Sequence, residues 1–168
     1  MPDWPSWDDW LTTLDDSTRH RALALRGRFR SLGVPDPEGW ARSEVTEDIA
    51  QLASLLFLRA VWARVDHWAG PGGVEAIEGN EELLSGGIDI AQLRTFARRV
   101  AYETALEIVV ALDRIDPDDL VEPGWVLMEA DEDGAPTHRD LLGLHEIFHD
   151  ADPSGRGGSD LLPRDPGK

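Results

Sequence analysis

Apolar residues recur at helical spacing along most of this chain, and that periodicity limits what it can fold into. Trp7, Trp10, Leu11 and Leu14 stand at i, i+3, i+4 and i+7, the stripe of an amphipathic helix. Ser6, with Asp9 three residues on, supplies a capping pair in front of it. Asp16 or Ser17 starts a second helix that runs to Leu32, where Gly33 and Pro35 stop it. Asp36-Pro37 reads as an N-cap followed by proline in a first turn. A long helical stretch follows, interrupted near Ser43 to Thr46 and running to Trp68, with Ile49, Leu52, Leu56, Val61 and Val65 as core positions.

Glycine and proline at 69–73 end that stretch, and 74–87 reads as a short helical turn between glycine-rich joints. Asp89 with Gln92 opens another long helix through Leu112, with Leu93, Phe96, Val100, Leu106, Val109 and Val110 as apolar positions. The segment GWVLMEA (124–130) is the one candidate strand. Thr137 with Asp140 then opens a final helix of about three turns that reaches His149. From Pro153 onward the residues are mostly Gly, Ser, Pro and Asp. The expectation is a mainly α protein: a compact single-domain bundle of five to six helices over 1–152 with at most one short strand. A polar, disordered tail is expected over 153–168.

Charge narrows the function. Asp and Glu total 33 against 16 basic residues, a net charge of −17, and residues 111–168 alone hold 15 acids and 5 bases. Duplex DNA and anionic membranes require local positive charge, so neither direct nucleic-acid binding nor membrane association is expected, and a basic protein partner is. The chain has no cysteine, which excludes disulfides, thiolate metal sites and cysteine nucleophiles. No apolar run approaches the ~20 residues that span a bilayer. The acidic N-terminus lacks the basic and apolar regions of a secretory signal, so a cytoplasmic location is expected.

One motif carries chemistry. His145-Glu146-Ile147-Phe148-His149 is the H-E-x-x-H pattern. On a helix it places two imidazoles on one face for zinc, with the intervening glutamate as base for the metal-bound water. A catalytic site needs a third ligand, and Asp150, Asp152 and Asp160 are the candidates downstream. Against this, Leu141, Leu144, Ile147 and Phe148 form the apolar arc of the expected helix, with the histidines at its edge and Glu146 and Asp150 toward water. That is also how an ordinary amphipathic helix looks. Asp150, Asp152, Ser154 and Gly155 match the first half of an EF-hand loop, but Gly157 and Leu161 break the second half, so calcium is not expected.

Two further features bear on partners. Trp4, Trp7 and Trp10 cluster at the N-terminus, where they could anchor a partner or fold back onto the chain's own core. Arg19, Arg21, Arg26, Arg28 and Arg30 form a basic strip that nearby acidic faces can pair. No P-loop, dinucleotide glycine motif or nucleophile elbow is present. The sequence therefore points to a small acidic helical binding protein of the immunity, antitoxin or inhibitor type, without a cofactor. A zinc hydrolase with His145 and His149 as ligands and Glu146 as base is the alternative. An acidic mimic of DNA is a third reading.

Overall fold

The computed structural model describes residues 5–113 and 125–161. The chain is mainly helical, with seven α-helices and one two-stranded antiparallel sheet among the described residues. None of these helices is long and apolar enough to cross a membrane. Contacts cluster into two units, 1–54 with 126–142 and 55–125 with 143–168.

The first unit begins with α1 (Trp7–Thr12), and the capping pair forms: the Asp9 N–H donates to Ser6 Oγ at 3.2 Å, and Ser6 Oγ donates to the Asp9 carboxylate at 2.7 Å. Helix α2 (Asp16–Ser31) is capped by Asp15 and buries Ala22, Leu25 and Phe29. It packs on α3 (Pro37–Glu47), whose N-cap Asp36 accepts from the Gly39 N–H at 2.9 Å. A Cβ at Gly39 would sit 2.2 Å from that carboxylate, so a larger residue there requires the capping side chain to shift. The break expected at 43–46 falls later, at Asp48, which takes the left-handed conformation with φ 53 before α4 (Gln51–His67) starts.

Strands β1 (Met128–Ala130) and β2 (Pro136–Asp140) pair antiparallel, with Met128 opposite Asp140. Two expectations are corrected here. There are two strands, not at most one, and the final helix does not start at Thr137. Asp131 accepts from the Asp133 and Ala135 N–H groups, which folds 131–135 into a tight turn and brings 136–140 back beside β1. Extended backbone at 139 also lets Arg139 reach Glu129 and the buried Glu44. The chain becomes helical again only after Gly143, which has φ +66, in the four-residue α7 (Leu144–Ile147).

The second unit holds the rest of α4, a 3-10 turn (Val74–Ala76), α5 (Glu81–Ser85), α6 (Ile90–Asp113) and α7. Its core contains Leu55, Leu58, Trp62, Val65, Tyr102, Val109, Leu144 and Phe148. The face that α6 buries includes the expected Val109 but otherwise departs from the expected apolar stripe: Arg98, Tyr102 and Asp113 point inward, while Phe96 and Val100 are exposed. Leu56 of α4 is exposed in the same way. Residues 153–161, assigned by composition to a disordered tail, form successive turns and bury Leu161.

Candidate functional site

The HEIFH segment sits on a turn of helix held from outside by α6. Asp113, the last residue of α6, has a buried carboxylate that accepts from the Leu144 N–H at 2.8 Å and the His145 N–H at 2.6 Å. The same carboxylate lies 2.6 Å from His145 Nδ1. It thus serves as the N-terminal cap that this short helix lacks in its own sequence, and it fixes the imidazole orientation. His145 keeps about a third of its side chain exposed, at 33%. His149 is exposed, and its Nε2 lies 2.8 Å from the Tyr102 hydroxyl. Burial, and then the nearby Glu103 charge, push the Tyr102 phenol above its ordinary pKa, so it stays protonated.

The expected third ligands are placed as follows. Asp150 is exposed. Asp152 is buried and accepts from the Ser154 N–H and Oγ, both at 2.8 Å, and from the Gly158 N–H at 3.4 Å. Burial alone would raise its pKa, but the hydrogen bonds from Ser154, Gly158 and Gly157 outweigh it and hold the carboxyl below its usual value. Asp160 accepts from Arg98 at 2.7 Å and lies 3.3 Å from Arg156. Glu146 is exposed. Among the described residues, no three His, Asp or Glu side chains are grouped so that they could hold a metal ion.

What the segment does organise is an aromatic cluster. Trp62 is fully buried, donates from Nε1 to the Phe148 carbonyl at 2.8 Å, and stacks on the Phe148 ring at 5.0 Å. Gly158, with φ +72, lies so close to Tyr102 that a Cβ would come within 2.8 Å of the ring. Arg98 locks this turn region to the helices through Asp66 and Asp160. Burial disfavours the charged guanidinium, yet those two carboxylates more than compensate, and its pKa is raised.

In the first unit, Trp7 and Trp10 are buried, with ring centroids 5.0 Å apart and the Arg26 and Arg42 guanidinium groups over their faces. Trp4 lies outside the described residues. The arginine strip is largely paired: Arg19 with Asp16, Arg21 with Asp48 and Arg26 with Glu38.

A surface that the sequence reading missed lies on the β1–β2 hairpin. Leu141 and Arg139 face inward, while Val126, Met128 and Leu142 are exposed, at 56%, 37% and 63%. The register that pairs Met128 with Asp140 continues to place Val126 opposite Leu142, so the three share one outward face. The turn beyond it, Asp131-Glu132-Asp133, is exposed, and Glu132 and Asp133 make no ion pair among the described residues. The apolar run Trp125 to Met128 is the available signal in the sequence, but its partner strand carries the spacing of a helix start.

Comparison of the chain with family models, with curated proteins and with solved structures gave no match.

Proposed function

We propose that this chain is a cytoplasmic, non-enzymatic binding module for a basic protein partner, of the immunity, antitoxin or inhibitor type. The observation that carries the reading is the hairpin face: three exposed apolar side chains, Val126, Met128 and Leu142, beside the acidic turn 131–133. Apolar anchors supply affinity at the centre of an interface, and unpaired carboxylates beside them steer a cationic partner into place. With a net charge of −17, the long-range field has the same sign as that local patch.

The test is affinity capture at low ionic strength with the full chain and with a Met128→Lys, Leu142→Lys variant. Basic proteins that bind the first, elute with salt and fail to bind the second support the reading. Partners indifferent both to salt and to the substitutions overturn it.

Zinc hydrolysis is the alternative, and one contact favours it. A carboxylate on Nδ1, as Asp113 is on His145, is the pairing that orients metal-bound imidazoles and leaves Nε2 for the ion. Near-stoichiometric zinc, lost in both His145→Ala and His149→Ala, would establish that reading, and Glu146→Gln would then test the base.

A further inference from the structure

Helices α4 and α6 run antiparallel in the second unit, as the Arg98–Asp66 and Trp62–Tyr102 contacts require. Between their outer faces lies an open groove of about 630 Å³, whose lining includes Phe57, Val61 and Trp68 on one side and Phe96, Val100 and Ile108 on the other. Phe96 is 66% exposed, Val100 48% and Ile108 55%. Val61, Phe96 and Val100 are residues whose periodicity marks a core, and here they line an open groove.

The pattern on α6 is specific. Phe96, Val100, Thr104 and Ile108 follow one another at intervals of four, and Ala97, Ala101 and Ala105 form the adjacent row. A ridge of large side chains beside a valley of small ones is the geometry that receives a second helix. Charge changes sign along the same helix, from Arg94, Arg98 and Arg99 to Glu103 and Glu107. Arg94 and Arg98 are paired within the chain. Arg99, Glu103 and Glu107 make no ion pair among the described residues, nor does Arg64 on the α4 side of the groove.

We propose that this face is a homodimer interface, in which α6 packs antiparallel on α6 of a second copy about a twofold axis near residue 102. That operation carries Phe96 to the level of Ile108 and Val100 to the level of Thr104. It carries Arg99 to the level of residue 105 of the second copy, about 3 Å along the axis from both Glu103 and Glu107. Each arginine then meets two carboxylates, and the contact is made twice, as a twofold interface demands. Parallel pairing would set Arg99 against Arg99. A basic partner would meet Arg64 in the groove and Arg99 beside it, so the groove does not suit the occupant assigned to the hairpin. The overall negative charge opposes association, but salt screens it over about 8 Å at physiological strength, while burial of Phe96 and Ile108 is not screened.

Sedimentation equilibrium of the full chain over a range of concentrations tests this. The expected particle has twice the 18.6 kDa chain mass. Phe96→Asp with Ile108→Asp should be monomeric, with an unchanged far-UV circular dichroism spectrum. Arg99→Glu should weaken the dimer about tenfold, and adding Glu103→Arg and Glu107→Arg should restore it. The charge variants alter no buried position, Arg99 being half-buried and Glu103 and Glu107 exposed, so they decide the matter even if the double aspartate variant fails to fold. A chain monomeric at every concentration and salt level overturns the proposal. So does a dimer that ignores these substitutions, and so does a monomer whose groove binds dodecanoate.

Discussion

Asp113 is the residue on which the most conspicuous motif of the sequence depends. Its two oxygens take the Leu144 and His145 N–H groups and meet the His145 ring. Replacing it with alanine leaves buried donors without partners, which costs about 1–3 kcal/mol each when no water can enter. Asp113→Ala should therefore lower the unfolding free energy by about 2–4 kcal/mol in urea titration. His145→Ala leaves both backbone hydrogen bonds in place and should cost less than ~1 kcal/mol. If His145→Ala cost as much as Asp113→Ala, the ring rather than the cap would be the structural element. This relation was not legible in the sequence, because the two residues are 32 positions apart. The Ser6 and Asp36 caps, by contrast, act over three residues, and the sequence shows them directly.

At the scale of elements, the β1–β2 hairpin shows why local signals mislead. Thr137 and Asp140 have the spacing of a capping pair, and the leucines that follow have helical spacing. A strand wins because the 131–135 turn supplies pairing for the backbone and Arg139 finds carboxylates only when extended. Arg139 Nη2 lies 2.9 Å from Glu44, which is 2% exposed, and Nη1 lies 3.0 Å from Glu129. Glu44 also accepts from the Leu52 N–H at 2.8 Å, so one buried carboxylate joins α3, the start of α4 and β2. Removing the Arg139 cation leaves that buried charge, among the described residues, only the more distant, exposed Arg21 at 3.9 Å. Arg139→Ala should cost about 3–5 kcal/mol, measured by chemical unfolding, whereas Arg139→Met combined with Glu44→Met should recover most of it. Failure of the double variant to recover would mean that Glu44 acts mainly through its hydrogen bond to Leu52. The helices were legible for the opposite reason: their caps and stops are local. Which of two apolar faces α6 buries was not legible, since periodicity marks a stripe without saying what covers it.

Over the whole molecule, the excess of carboxylates is legible from composition, but its energetic sign depends on which charges are paired. The strongest pairs sit out of the solvent: the Arg98 and Arg139 side chains are 8% and 18% exposed, so salt screens them little. The acids without a cationic partner among the described residues, such as Glu103 with Glu107 in one unit and Glu132 with Asp133 in the other, lie at the surface, and neighbouring ones repel through water. Raising the salt concentration shortens the screening length from about 30 Å at 0.01 M to about 8 Å at 0.15 M. It should therefore relieve repulsion more than it weakens attraction. A relief of ~1 kcal/mol corresponds to a rise in Tm of about 2–4 °C for a chain of this length. The measurement is thermal unfolding by circular dichroism across that range of sodium chloride. It is made on the Phe96→Asp, Ile108→Asp variant, so that association does not contribute. A rise in Tm places the acidic excess in the role of a destabilising field, retained for what it attracts. A fall would show that part-buried ion pairs such as Arg26 with Glu38 outweigh it, and the case for a partner-steering charge would lose its energetic basis.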